Sequence, residues 1–204
     1  MCGRYYIEVS DAALKEIAEE ILRKMAGQAG YQQLALKLEG EIFPTNIVAV
    51  QTAPADYQPM RWGFSGFGPG KGRKPSAAHP LINARSETIT EKPTFRRPVQ
   101  ESRCLVPASG YYEWQSEGKG KVKYRLYSEG QPLYFAGCYR SESEPLGMLP
   151  IPRFVILTQA AAPGIAQIHD RMPVAFTADT ANYWLTDGLD ALSAALQELE
   201  FTKA

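Results

Sequence analysis

Several residue types that mark common classes of protein are scarce in this sequence. Its 204 residues include only two histidines, His79 and His169, which are too few for a histidine-rich metal site. Three cysteines at wide spacing fit neither a disulfide framework nor a zinc site. These cysteines are Cys2, Cys104 and Cys138. We therefore expect no bound metal and no cofactor.

Long hydrophobic runs and excess charge are also missing. No stretch reaches the roughly 18 consecutive apolar residues that a membrane-spanning helix needs, and the N-terminus lacks the pattern of a secretory signal. We therefore expect an intracellular protein without membrane contact. The formal net charge is zero, which argues against a protein that coats nucleic acid unselectively.

The charge is nevertheless uneven along the chain. Residues 61–103 carry nine Lys or Arg against three acids, whereas residues 179–204 carry five acids against one base. A basic middle segment on a neutral protein can hold a phosphate backbone locally. A solvated basic loop explains the same pattern equally well, so charge alone leaves both interpretations open.

The length and composition predict a single domain over residues 1–204. A hydrophobic fraction of 45% and a charged fraction of 22% are ordinary for a globular protein. Strand-like runs at 103–107, 121–127, 133–139 and 154–158 lie between short helical segments. We predict an α+β fold with a mainly antiparallel, barrel-like β core and peripheral helices.

Local patterns predict where the helices lie. Ser10 is a suitable N-cap, and a helix then continues to Gly27. Its apolar face is expected to contain Leu14, Ile17, Ile21, Leu22 and Met25. Residues 179–185 and 189–199 suit two further short helices.

Glycine and proline mark the expected turns. Residues 118–120 predict a hairpin between two alternating strands. Residues 63–80 are rich in glycine and proline and predict a long mobile loop that displays the neighbouring aromatic residues.

Cys2 is the residue with the most unusual chemistry. If Met1 is removed, Cys2 carries a free α-amine beside its own thiol, whereas an internal cysteine has only an amide nitrogen. Such a 1,2-aminothiol condenses with an aldehyde and then closes a five-membered thiazolidine. Its amine titrates near pH ~7.7–8.0, against ~10.4 for a lysine side chain. A small residue at position two without any chemical role is the alternative.

Three later segments carry residues suited to the same chemistry. Asn83 offers both a donor and an acceptor, and Arg85 offers a planar fork for phosphate, although a turn asparagine and a surface arginine would look the same. Glu113 lies in an aromatic strand-like run, where a poorly solvated carboxyl could transfer protons; alternation does not settle which face is buried. His169 stands beside Asp170 and suits a proton shuttle or a structural role.

These motifs occur together in an order that resembles the SOS response-associated peptidase (SRAP) family of abasic-site processing proteins. The resemblance runs from Cys2 to about Trp184. The blocks that carry it are Met1-Cys2-Gly3-Arg4, residues 80–88 with Asn83 and Arg85, residues 110–114 with Glu113, and residues 168–173 with His169.

The resemblance implies a function and a set of roles. Family members bind single-stranded DNA at an abasic site, whose ring-opened sugar presents an aldehyde, and the N-terminal cysteine crosslinks to it as a thiazolidine. Cys2 would be the nucleophile, Asn83 would orient the cysteine or the sugar, and Glu113 and His169 would move protons. Strand cleavage by β-elimination is an expected side activity. Residues expected along the DNA path are Gly3, Arg4, Asn46, Trp62 and Arg85.

The resemblance also sets expectations about partners and leaves two alternatives. The expected partner is single-stranded DNA with abasic sites, and the protein is expected to be a cytoplasmic monomer that joins the nucleoid on DNA, or a nuclear one in a eukaryote. One alternative is an N-terminal-nucleophile cysteine peptidase that acts mainly on its own Met1. The other is a non-covalent reader of modified DNA.

Overall fold

The computed structural model describes residues 2–28, 30–67, 75–118, 120–142 and 149–204. Its strands are β1 (Tyr5–Ile7), β2 (Gly40–Ile42), β3 (Ile47–Ala53), β4 (Asp56–Trp62), β5 (Phe64–Phe67), β6 (Pro75–Leu81), β7 (Asn83–Arg85), β8 (Arg103–Ala108), β9 (Gly110–Glu117), β10 (Gly120–Tyr127), β11 (Leu133–Arg140), β12 (Arg153–Ala160), β13 (Arg171–Pro173), β14 (Ala175–Phe176) and β15 (Glu200–Lys203). Its helices are α1 (Ala12–Ala26), α2 (Pro93–Glu101), α3 (Pro163–Ala166) and α4 (Ala178–Thr186), with 3-10 turns at Tyr31–Gln33, Ser86–Thr88 and Gly188–Ala194.

The larger sheet closes into a ring. Its pairings follow β12–β4–β3–β8–β11, and β11 pairs back onto β12. Strands β7 and β13 also pair with β12, and β14 pairs with β11. The two parallel pairings join β12 to β4 and to β7, whereas the other pairings of this sheet are antiparallel. The predicted α+β class with a mainly antiparallel core is confirmed.

A smaller antiparallel sheet in the order β15–β10–β9–β1–β2 packs against the ring. Its inner face carries Tyr5 and Tyr111, which are directly opposite each other on β1 and β9. Both tyrosine side chains lie roughly perpendicular to the aromatic ring of Phe135, which belongs to the larger sheet, at centroid distances of 6.0 and 6.1 Å. The start of the chain therefore enters the core between the two sheets.

Helix α1 follows the predicted pattern with two corrections. The N-cap is Asp11 rather than Ser10, because the Asp11 carboxylate accepts the N–H groups of Ala13 and Leu14 at 2.9 and 3.3 Å. The predicted C-cap Gly27 is confirmed, and the buried face holds Leu14, Ile17, Ile21 and Met25. Leu22 is 51% exposed. It departs from that face because each residue turns the helix by about 100°.

Two other local predictions are corrected by the structure. Within 63–80, β5 and β6 form an antiparallel pair that begins with Phe64 opposite Leu81, and Phe64 is fully buried. Strand pairing replaces the expected loop there, while residues 68–74 lie outside the described part. The helix expected at 189–199 is a 3-10 turn over Gly188–Ala194, whereas α4 and the hairpin pairing of β9 with β10 appear as predicted.

Candidate active site

Cys2 lies three residues before the start of β1, and its side chain is fully buried. Its backbone carbonyl accepts a hydrogen bond of 2.8 Å from Nδ2 of Asn83, and its sulfur lies 3.9 Å from the carbonyl oxygen of Arg4. A residue near the chain terminus is thus held in a defined orientation by a side chain 81 residues away.

Asn83 owes its position to the ring sheet. Strand β7 runs parallel to β12, with Asn83 opposite Ile156, and Ala84 between Asn83 and Arg85 is buried. Asn83 is half-buried, and among the described residues its Oδ1 has no hydrogen-bond partner. The amide therefore uses its donor to hold Cys2 and keeps its acceptor for another group. Arg85, two residues later on the same strand, is exposed.

Glu113 faces the interior of the molecule. On β9, Tyr111 and Glu113 are buried, whereas Tyr112 and Trp114 between and after them are half-buried. The structure thus resolves which face of this alternating strand is buried. Burial raises the pKa of the Cys2 thiol well above its usual range, and the nearby Glu113 carboxylate raises it further. At neutral pH the thiol is therefore protonated, and the side chain of Glu113 is close to it.

Two buried tyrosines complete the surroundings of Cys2, and sequence reasoning missed them. Burial raises the pKa of Tyr5 and of Tyr111 well above the usual value, and the nearness of Cys2 adds to both shifts. Among the described residues, neither phenol oxygen has a hydrogen-bond partner. Both phenols therefore stay protonated and can donate to a polar group beside Cys2. The sequence feature that could have identified them is the Tyr-Tyr pair in each of β1 and β9, two strands that the fold brings together.

His169 lies on the segment between α3 and β13. Its Nδ1 accepts the N–H of Arg171 at 3.0 Å and lies 2.9 Å from the Asp170 carboxylate. The Gln115 side chain donates to the carbonyl of Gln167 at 2.7 Å, which places the His169 segment alongside the strand that carries Glu113.

Arg171 connects the His169 segment to β12 and to the 3-10 turn that follows β7. Its guanidinium contacts both carboxylate oxygens of Glu87 at 2.6 and 2.9 Å and the carbonyl of Thr158 at 2.7 Å. These hydrogen bonds lower the pKa of Glu87 to about 2. Since Glu87 follows β7 and Thr158 lies on β12, the single guanidinium group of Arg171 connects three segments of the site: the His169 segment, the turn after β7, and β12.

Comparison with known proteins decides the family. The profile of the family described as SOS response associated peptidase (SRAP) matches residues 1–203. The chain belongs to the SRAP family.

Relatives of known name cover part of this SRAP chain. The Abasic site processing protein YoaM of Bacillus subtilis is 38% identical over 62% of this chain and 55% of its own length. The Abasic site processing protein YedK of Escherichia coli is 33% identical over 67% of this chain and 58% of its own length. The chain thus spans slightly more than half the length of these relatives.

Two solved structures share this fold. A crystal structure of a protein from Bacteroides thetaiotaomicron superposes with a TM-score of 0.73 at 22% identity, over 99% of this chain and 91% of that one. A protein from Bordetella bronchiseptica gives a TM-score of 0.71 at 22% identity, over 100% of this chain and 99% of that one.

The residues expected along a DNA path have different surroundings. Gly3 and Arg4 are half-buried beside Cys2, and the Arg4 guanidinium contacts Glu41 at 3.1 Å. Asn46 is half-buried, and its side-chain oxygen accepts the N–H of Phe43 at 2.9 Å, which fixes the turn before β3. Arg85 and Arg4 present cationic groups at the surface, whereas Asn46 shapes the backbone.

Trp62 corrects an expectation, because it does not line a DNA path. Its side chain is fully buried and its Nε1 donates to the carbonyl of Ile82 at 3.0 Å. Its ring lies 5.2 Å from that of Tyr5 and is stacked on Phe154 at 6.5 Å. A ring without exposed surface cannot stack on a base. Near Arg4 this SRAP structure places two aromatic rings at the surface, the exposed Phe43 at 4.4 Å and the half-buried Trp114 at 5.0 Å.

Metal ligands and membrane spans are the two remaining features to consider. Across the described ranges, no three His, Cys, Asp or Glu side chains are grouped as metal ligands would be. In the same part of the chain, no helix is long and apolar enough to cross a membrane.

Proposed function

We propose that this SRAP protein processes abasic sites in single-stranded DNA by forming a covalent thiazolidine through Cys2 after removal of Met1. The observation that carries the proposal is the fixed position of Cys2, held by Asn83 at 2.8 Å and adjoined by the buried Glu113. The names of its relatives as abasic site processing proteins support the choice of substrate.

The proposed reaction releases one water. The α-amine of Cys2 attacks the C1′ aldehyde of the ring-opened sugar to give a carbinolamine, which loses water to leave an imine. The thiol sulfur then bonds to the same carbon, and the thiol proton ends on the nitrogen. The product is a five-membered ring that contains both heteroatoms and resists hydrolysis better than an open imine.

The environment of the thiol sets the order of these steps. Because burial and the Glu113 charge keep the Cys2 thiol protonated, the sulfur is a weak nucleophile until a base accepts its proton. Free α-amines titrate near pH ~7.7–8.0, so an N-terminal amine is partly unprotonated at neutral pH. The amine therefore reacts first, and Glu113 serves as the base when the ring closes.

Other residues of the site have supporting roles in the proposal. His169 transfers protons while the sugar ring opens and water leaves, and Asn83 orients Cys2 through its donor while its acceptor faces the sugar. The imine also acidifies the neighbouring C2′–H, so that loss of this proton expels the 3′ phosphate. This β-elimination accounts for an associated lyase activity.

A second candidate is autoproteolytic removal of Met1, which the peptidase in the family's description favours. It would require the Cys2 sulfur to attack the Met1 carbonyl as a thiolate. The raised pKa of the thiol opposes this step, so we rank it below crosslinking.

Intact-protein mass spectrometry tests the proposal. The protein is incubated with a single-stranded oligonucleotide that carries one abasic site, and a matched oligonucleotide with a tetrahydrofuran residue, which lacks the aldehyde, is the control. The expected adduct has the mass of protein without Met1 plus oligonucleotide minus one water, and the tetrahydrofuran oligonucleotide gives none.

The Cys2→Ala variant separates the two covalent steps. It keeps the α-amine, so borohydride should trap an imine, whereas no adduct should survive denaturation without reduction. A full-strength, denaturation-resistant adduct in Cys2→Ala would show that the sulfur plays no part. Strong binding of both oligonucleotides without any adduct would favour the non-covalent reader.

A further inference from the structure

The outer face of the smaller sheet carries an unusual set of side chains. Residues that are cross-strand partners share a face, so Tyr112 lies beside Arg125 and Trp114 beside Lys123, both directed away from the core. Arg4 adjoins them next to β1, since its carbonyl accepts the N–H of Tyr112. We call this set the outer row; its members are Arg4, Trp114, Lys123, Tyr112, Arg125 and Tyr127.

Cations and aromatic rings alternate along the outer row. The Arg4 guanidinium carbon lies 5.0 Å from the Trp114 ring centroid, and the Lys123 ammonium lies 3.7 Å from that of Tyr112. The Arg125 guanidinium carbon lies 5.6 Å from the Tyr127 ring. These distances are within the range of about 6 Å for cation–π attraction. The row begins at Arg4, two residues from Cys2, and ends at Tyr127.

The cations of the outer row are fixed in place yet reach the surface. Arg4 and Lys123 share the carboxylate of Glu41, at 3.1 and 2.6 Å, and Arg125 contacts Glu8 at 2.7 Å. Two carboxylates therefore hold three cations, which leaves one net positive charge. The side chains of the three cations are 25% to 35% exposed. Because these side chains are already ordered, they lose little conformational entropy when a ligand binds, which favours binding.

The dimensions of the row suit several nucleotides. Lys123 and Tyr127 are four residues apart on β10, or about 14 Å at ~3.4 Å per residue. Stacked bases rise by ~3.4 Å each, so this length matches about four of them. Aromatic rings that accept bases, interleaved with cations that accept phosphates, are the usual features of surfaces for single-stranded nucleic acid.

We propose that the outer row binds the single-stranded DNA that continues from the lesion, with bases against the aromatic rings and phosphates against Lys123 and Arg125. This inference rests on the proposed function for the identity of the strand as DNA. Cross-strand pairing that only stabilises the sheet is the competing explanation, and it predicts no effect on DNA binding.

Fluorescence anisotropy with an undamaged single-stranded oligonucleotide tests the outer row without any crosslink. The variants are Lys123→Gln, Arg125→Gln and the double variant, and thermal unfolding checks that each is folded. The control is Arg97→Gln, because Arg97 lies on α2, is 83% exposed and also has one acidic partner. We expect the double variant to bind about tenfold more weakly, with a log–log salt dependence lower by about 0.7 for each phosphate that the variant no longer neutralises.

Each outcome bears on the inference. Affinity of the folded double variant within twofold of the wild type would overturn it, and so would an equal loss in Arg97→Gln, which would indicate unspecific charge attraction. A loss confined to the row variants supports it. The double variant should still crosslink to a trinucleotide with a central abasic site. Failure of the wild type to crosslink would refute the proposed function and leave the binding result standing.

Discussion

Replacement of Asn83 by alanine is the sharpest test of how the site is built. The Asn83 side chain donates to the Cys2 carbonyl at 2.8 Å, and the bond is partly buried. Asn83→Ala removes this donor without adding bulk or charge. Asn83→Asp keeps the shape but places an oxygen that cannot donate against the carbonyl, so it should impair crosslinking at least as strongly.

The size of the effect distinguishes two roles for Asn83. A net intramolecular hydrogen bond contributes about 0.5–1.5 kcal/mol. If Asn83 only orients Cys2, the rate of crosslinking should fall between about twofold and about tenfold, since each 1.36 kcal/mol is a factor of ten. If its Oδ1 also contacts the reacting sugar, we expect a fall of about 100-fold or more, as for other groups that stabilise a transition state.

The assay is the single-turnover rate of adduct formation, measured by denaturing gel with a single-stranded abasic oligonucleotide in excess. Asn182→Ala is the matched control, because Asn182 is exposed on α4. A rate for Asn83→Ala within twofold of the wild type, with the thermal transition unchanged, would refute the assigned role of Asn83. A loss of rate that follows a loss of folded protein would make Asn83 structural only.

Three predictions concern the scaffold. Arg103→Met should lower the free energy of unfolding by about 2 kcal/mol, measured in urea, because its guanidinium donates to carbonyls at the ends of α2 and α4. The pKa of Glu87 is about 2 in the folded protein, against its usual value of 4.5. Its pair with Arg171 therefore contributes about 1 kcal/mol to the free energy of unfolding, discounted for exposure, and this contribution is present above pH 4.5 and is lost as the pH falls through 2. Glu87→Gln should lack this loss of stability when urea unfolding is measured across that pH range. Gly110→Ala should cost about 3 kcal/mol or more, seen as reduced soluble yield and a lower thermal midpoint, because an added Cβ would overlap the Leu126 carbonyl oxygen.

Contrary results for these variants are equally specific. Unfolding of Arg103→Met at the wild-type urea midpoint would mean that the helix ends do not need this cation. Identical acid sensitivity of wild type and Glu87→Gln would show that the pair with Arg171 adds nothing to stability. Gly164→Ala is the control for Gly110→Ala, since a Cβ there meets nothing within 4 Å; equal stability of the two variants would contradict the steric argument.

Much of the architecture follows from local patterns. The buried face of α1, the hairpin between β9 and β10, and the extent of α4 agree with periodicity and turn residues. The expected loop at 63–80 is wrong because distant strands decide the outcome there. Leu81 pairs with Phe64, so residues expected in a loop form β5 and β6. No local signal distinguishes such a strand from a glycine-rich loop.

The candidate site was likewise predicted only in part from the sequence. The motifs singled out Cys2, Asn83, Glu113 and His169, and the fold joins Asn83 directly to Cys2. The structure added Tyr5 and Tyr111, whose phenols lie near Cys2. It removed Trp62 from the expected DNA path, because this ring packs in the core.

By itself, the sequence determined which reactive groups are present and in which order: a cysteine at position two, an amide, a carboxylate and an imidazole. Only the tertiary structure decided which of them meet and which face of each strand is buried. An alternating strand can bury either of its faces, and the choice between the Glu113 face and the Trp114 face depends on the neighbouring strands. Here the pairing of β9 with β1 and β10 turns Glu113 inward with Tyr111, because the packing of the two sheets buries that face.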